Sequence, residues 1–238
     1  MGGRGANSLS GKSGASKAGV GAAMDAKSWE ELTAVAAANG IPLDDSLKTI
    51  PLETAKTALA GTIDIANEFP QVARDMFKLG AKEHRRNVLA SASLTGVINV
   101  NPAEYASQKG LEAEYARAVA SGFHPSGNAR AITSHEAGHI LEAALLHRKY
   151  GKLTYQAIDD WNKSREAMRI VGQASRQMKK TAEGKGTKIG GQIRQVSRYA
   201  TKNRSEALAE CVADYISNGN SANPLSREVW GILKQELG

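Results

Sequence analysis

Ala131-Ile-Thr-Ser-His135-Glu136-Ala-Gly-His139-Ile140 contains the pattern His-Glu-x-x-His. On a helix, residues four apart stand one above the other on the same face, so His135 and His139 can offer two imidazoles to a single ion. A catalytic zinc takes three protein ligands and keeps a fourth position for water, so the pattern calls for a third ligand and for a base. Glu136, next to the first histidine, is placed to be that base. The flanking Ile132, Ile140, Leu141, Ala144 and Leu145 make this a strongly apolar helix, and Gly138 leaves room for another element to pack closely against it. The competing reading is a buried helix with two satisfied core histidines and a surface glutamate.

The third ligand has to come from elsewhere in the chain. A histidine six residues beyond the second would need glycine at position 142 and histidine at 145, where the chain has Glu142 and Leu145, and His147 is two places late. A carboxylate from a separate downstream helix is the remaining solution. The stretch from Asn203 reads as that helix, with Asn203 as its cap and Leu208, Val212, Tyr215 and Ile216 on one side. Glu206 and Glu210 lie four apart on another side, where two carboxylates repel by a few tenths of a kcal/mol unless a cation sits beside them. An exposed acidic face is the alternative. Ala207, Ala209 and Ala213 favour close packing on the motif helix instead.

Outward from these two helices, the sequence predicts helices from Ser28 to Asn39-Gly40, from Pro51 toward Phe69, and over Leu111–Ala120, with a further helical turn at Phe77–Gly80. Val88–Ala92 and Val97–Val100, separated by Leu94-Thr95-Gly96, read as a hairpin that stops at Asn101-Pro102. The motif helix is expected to end at Tyr150-Gly151. A single polar helix is expected from Thr154 to about Glu183, with Ile158, Trp161, Met168 and Val171 inward. A loop at Gly184–Gly191, helix over Ile193–Arg198 and a last helix from Pro224 follow. The loop before the motif carries His124, a candidate fourth polar group at the site, although a structural or solvated role is the commoner fate of a loop histidine. Residues 1–27, rich in Gly, Ser, Ala and Lys, read as a flexible linker, as though this were the C-terminal domain of a longer polypeptide.

The composition, 41% hydrophobic and 23% charged over 238 residues, is that of a globular protein with room for one sizeable core or two small ones. Cys211 is the only cysteine, which excludes an intramolecular disulfide and a cysteine-rich zinc site. No apolar run approaches the thickness of a bilayer, and the N-terminus lacks the basic-then-apolar pattern of a signal peptide. The net charge of +7 is concentrated between Lys163 and Arg204, where twelve Lys or Arg face only Glu166 and Glu183. The favoured reading is a solvated helix face; the sharper one is attraction to an acidic polymer or substrate. Aromatic residues are not interleaved with these charges, which argues against a nucleic-acid platform.

Tyr199-Ala-Thr-Lys-Asn-Arg-Ser-Glu206-Ala-Leu-Ala-Glu210, taken with the His-Glu-x-x-His helix, resembles the anthrax-lethal-factor-like zinc metallopeptidases of the gluzincin type. It is also similar to peptidase-like domains at the ends of phage head and polymorphic-toxin polypeptides, as are the strand ending in Asn101-Pro102 and the Gly122-Phe-His-Pro125 loop. The resemblance covers three short blocks between about Val97 and Tyr215. It implies an α+β, mostly helical zincin-like domain over residues 28–238, with a helical N-terminal part at 28–86, a catalytic core at 87–238, and a small hairpin or sheet packed on the motif helix. It further implies Zn2+ held by His135, His139 and Glu206, with Glu210 supporting the site. Glu136 would be the base and Tyr199 would stabilise the transition state as a protein or peptide substrate is cut. A virion-associated protein, or a domain delivered within a larger polypeptide, is the corresponding setting. The rival expectations are a catalytically silent zinc-binding structural module and a basic nucleic-acid-binding module.

Overall fold

Ser28 accepts a hydrogen bond from the Glu31 amide, and the Glu31 carboxylate accepts one from the Lys27 amide at 2.7 Å, a reciprocal cap that starts helix α2 (Trp29–Ala38) where its sequence predicts. The computed structural model describes residues 19–151, 153–181 and 185–238. The expected linker is corrected over its last part: Val20–Asp25 form helix α1, which packs on a later helix and buries Ala23 and Ala26. The remainder of that expectation, residues 1–18, lies outside the described residues.

Helix α3 (Leu52–Glu68) is the most deeply buried element of the N-terminal part, with Thr54–Ile63 covered on every face. It lies against the motif helix α6 (Ala131–Tyr150). At Gly61 there is no space for a side chain: a Cβ there would stand 2.0 Å from the Arg130 carbonyl oxygen. The contact is completed by hydroxyls, as Thr133 donates to the Ala58 carbonyl at 2.8 Å and Ser134 to that of Gly61 at 2.9 Å. These bonds fix the rotation of α6 just before His135.

After α4 (Pro70–Met76) the chain departs from expectation. Phe77–Gly80 is not a helical turn; Lys78–Ala81 form strand β1, parallel to β3 (Val97–Val100), which also pairs antiparallel with β2 (Ala90–Ala92). The order is β1-β3-β2, so the predicted hairpin exists, two residues shorter on its first strand, inside a three-stranded sheet. The part at 28–86 is therefore not purely helical. Phe77 is extended because the partner of the next residues, Val97–Val100, arrives from later in the chain, and no local pattern announces it. Gly96 (φ +86°) is required at the hairpin, since a Cβ there would overlap the Met76 carbonyl. The edge strand β2 lies along α6.

Helix α5 (Gln108–Ala120) ends where expected but begins three residues before Leu111, capped by Ser107, and α6 ends as expected on Gly151 at φ +70°. The single helix expected over Thr154–Glu183 is two: α7 (Tyr155–Asn162) and α8 (Arg165–Met178), separated at Ser164, which adopts φ +51°. Its inner stripe is corrected as well, because Ile158 and Met168 are 45% and 54% exposed while Ala167, Ile170, Val171, Ala174 and Met178 are buried. The cause is Asp160. Buried, it accepts hydrogen bonds from Lys149, Tyr150 and Gln156, and the Arg165 Nε lies 3.2 Å away; α7 is thus drawn onto the end of α6 by its polar face. Helix α9 (Ile189–Val196) begins within the expected loop at Gly184–Gly191 and stops short of Arg198.

Helix α10 (Arg204–Asn218) starts at Asn203, whose side chain accepts from the Glu206 amide at 2.9 Å, and α11 (Pro224–Leu237) starts at its proline. The crossing of α6 and α10 is also close: a Cβ at Gly138 would lie 2.9 Å from the Ala209 Cα and 3.2 Å from the Val212 Cβ. Small residues on both helices thus bring the two candidate halves of the site together. Among the described residues no helix is long and apolar enough to cross a membrane.

Candidate metal centre

His135 and His139 lie one turn apart on α6, and Glu206 reaches them from the first turn of α10. One ligand atom from each of the three falls within 4.8 Å of the others. Glu206 Oε2 is 3.1 Å from His135 Nε2 and 3.4 Å from His139 Nε2. His135 is buried and Glu206 nearly so.

Behind the far nitrogen of each histidine stands a carboxylate, reached through Ser205 for His139 and facing the ring directly for His135. Ser205 donates to Glu142 Oε2 at 2.6 Å, and its oxygen lies 2.9 Å from His139 Nδ1. A serine has one proton; spent on the carboxylate, it leaves the oxygen to accept from Nδ1–H, and the lone pair of Nε2 faces Glu206. Glu142 is fully buried and is held in place by the Ala167 amide. On the other histidine, Nδ1 is 2.8 Å from Glu210 Oε1, off the line an aligned hydrogen bond needs. Glu210 itself accepts from Ser197 at 2.6 Å and sits 3.0 Å from His124 Nδ1. His124 is therefore beside the centre rather than among its ligand atoms, stacked on Tyr115, with Nδ1 toward Glu210 and its ring edge-on to His135 and Tyr199.

The electrostatics follow from this burial. Desolvation disfavours a charged His135, but the Glu206 and Glu210 carboxylates on either side outweigh it and push its pKa up to about 10. Burial raises Glu210, and His124 and His135 more than reverse this, holding it at about 2. Glu206, also raised by burial, is held far below the usual carboxylate range by the two histidines. The arrangement stabilises positive charge between its carboxylates. Two imidazole Nε2 atoms and one carboxylate oxygen, with both Nδ1 atoms turned toward acceptors, form a donor set suited to a divalent transition metal.

The second oxygen of Glu206 is also engaged. Tyr199 donates to Oε1 at 3.1 Å, and Lys202 donates to the same atom at 2.9 Å and to the Tyr199 hydroxyl at 3.0 Å. Tyr199 lies on a short 3-10 turn, Tyr199–Thr201, outside α10, so its hydroxyl approaches Glu206 from across the cleft.

The cleft has two lobes. One, of 290 Å³, is walled by Val88, Leu89, Tyr115, Phe123 and Ile132; the other, of 270 Å³, by Ser91, Trp161, Asn203 and Ser205. Ala90, His135, Glu136 and Tyr199 line both, so Glu136 stands at the junction with strand β2 along one side. All six residues singled out in the sequence are brought to one place. Sequence reasoning missed Glu142, Ser205, Ser197 and Lys202. Glu142 stands three residues beyond His139, on the same face of the helix, and that spacing was a usable signal. Comparison of the chain with protein-family models, with curated proteins and with solved structures gave no match in any of the three.

Proposed function

We propose that the protein is a zinc-dependent endopeptidase, acting on a protein or peptide chain laid along β2. The observation that carries this is the position of Glu136, a carboxylate that no ligand role uses, at the junction of a two-lobed cleft beside His135, His139 and Glu206. Zinc, when bound, supplies Lewis acidity and a water made acidic enough to attack near neutral pH. Glu136 would take the proton of an attacking water as its oxygen adds to the carbonyl carbon, and would return it to the amine as the C–N bond breaks. Tyr199, on giving up its bond to Glu206 Oε1, would donate its hydroxyl proton to the carbonyl oxygen as charge develops there, with Lys202 donating to the hydroxyl oxygen. Strand β2, whose only sheet partner among the described residues is β3, leaves its other edge for the backbone of an extended substrate, which favours chains over small amides. The likeness of the Tyr199–Glu210 block to lethal-factor-like peptidases supports the same reading, and with it a domain carried by a phage or toxin polypeptide.

The test is the metal content of the purified protein together with a proteome-derived peptide cleavage profile, run beside Glu136→Gln. The expected result is about one zinc per chain in both proteins and cleavage by the parent alone. Equal cleavage by the two proteins, or none by a zinc-loaded parent, would overturn the proposal.

A further inference from the structure

Next to the polar lobe, and sharing Asn203 with it, lies a recess of 490 Å³ bounded by Lys163, Ser164, Met168 and Arg204. Its cations are not equivalent. Lys163 is 2.7 Å from Asp159, and Arg165 is shared between Asp159 and Asp160, so both are neutralised within their own corner of the fold. Arg204 makes no ion pair and no side-chain hydrogen bond with any described residue, although it is half-buried. A guanidinium in that position keeps a planar fork of donors with no acceptor among the described residues, the arrangement that a carboxylate fits with two parallel bonds.

We propose that the substrate cleft continues past Asn203 into this recess and that Arg204 there binds a carboxylate side chain of the polypeptide substrate. Three further features suit that ligand. Met168, 54% exposed, offers apolar surface to the methylene stem of a glutamate. The first turns of α8 and α10 both face the recess through Ser164 and Asn203, adding their amide dipoles to the charge of Arg204. The nearby acids, Asp159 and Asp160, are already occupied by Lys163, Arg165, Lys149 and Tyr150 and leave little negative field to oppose it.

The distance from the reacting bond follows from the chain geometry. Arg204 and Glu206 are two residues apart on α10, so their side chains project about 200° apart across a helix of about 10–12 Å diameter, and an extended peptide advances about 3.3 Å per residue. The acidic residue therefore falls about three to four residues from the bond that is cut. This accounts for part of the basic segment Lys163–Arg204 in terms of substrate choice and requires no separate partner.

The inference rests on the peptidase reading for its substrate, and the test separates the two. Paired fluorescent peptides differing only by Glu or Gln at each position are titrated into the zinc-loaded Glu136→Gln protein and followed by anisotropy. The expected result is binding about tenfold tighter for Glu at one position, the ratio falling to near one in the Glu136→Gln/Arg204→Gln double variant at unchanged zinc content. A double variant carrying Arg204→Glu, a residue favourable in the first turn of a helix, is expected to reverse the preference and guards against loss of fold. Equal binding of Glu and Gln peptides, or a preference that survives both Arg204 variants, would overturn the inference. Parallel digestion with the parent protein distinguishes the cases: cleavage without acidic preference sinks the recess alone, whereas Arg204-dependent binding without any cleavage sinks the peptidase reading and leaves the recess standing.

Discussion

Glu142 Oε2 and Ser205 Oγ lie 2.6 Å apart, and through this bond between α6 and α10 the orientation of the His139 ring is set. A ligand ring free to turn presents its lone pair only part of the time, and outer partners of this kind typically change metal affinity ten- to a hundredfold. Ser205→Ala is expected to weaken zinc binding by about that factor, with Ser205→Thr restoring most of it. Competition against a chelating dye measures the change; affinities equal to the parent's in Ser205→Ala would show that the bond is only a helix clamp.

The two glutamates of α10 should separate cleanly. Glu206→Ala removes an oxygen that faces both Nε2 atoms and is expected to empty the site. Glu210→Ala leaves the ligands in place but deprives Ser197, His124 and His135 of a buried acceptor. It is expected to retain weakened zinc and to cost about 1–3 kcal/mol of stability. Metal analysis and urea unfolding of both variants decide the matter, and a zinc-free Glu210→Ala with a fully loaded Glu206→Ala would reverse the assignment.

For the chelator-treated protein, stability should depend on pH in two windows. His135 has a folded pKa raised from 6.5 to about 10, so its contribution is complete below pH 6.5 and is lost as pH rises through 10. Glu210 is lowered from 4.5 to about 2, so its contribution is complete above pH 4.5 and is lost as pH falls through 2. Unfolding midpoints are expected to be highest between these windows. Added zinc should flatten the alkaline slope, because the ion takes the place of the proton on the imidazole. An alkaline slope unchanged by zinc would mean that the ion does not bind at His135.

Tyr199→Phe keeps the ring, which packs against Phe123 and His124, and removes the hydroxyl bonded to Glu206 and Lys202. The expected outcome is a turnover lowered roughly ten- to a thousandfold with zinc content retained. Steady-state kinetics on one cleaved peptide suffices, and a variant as fast as the parent would leave the hydroxyl a structural role only.

Much of the frame was legible because its signals are local. Ser28, Asn203 and Pro224 start their helices, Gly151 ends the motif helix, and the small residues Gly138 and Ala209 announce a close crossing. What failed depended on partners distant in sequence. Lys78–Ala81 become a strand only because Val97–Val100 arrive beside them, and α7 turns its polar face inward only because Lys149 and Tyr150 wait at the end of α6. The centre divides the same way. The ligand residues follow from helical spacing and resemblance, whereas the link from Glu142 through Ser205 exists only once α6 and α10 are crossed at a particular angle.

That crossing has one more consequence. Glu206 rides on α10 three residues before Ala209, whose Cα leaves no room for even a methyl group on Gly138. The approach of α10 to the two histidines is thus gauged by close contact at Gly138, and a side chain larger than a hydrogen there would have to push the two helices apart. Metal–ligand distances of roughly 2.0–2.2 Å for zinc and 2.3–2.6 Å for calcium differ by only a few tenths of an ångström, about the displacement that one added carbon would force. A single hydrogen atom, all the side chain that residue 138 has, thus sets how near the backbone of α10 comes to the helix that carries the two histidines.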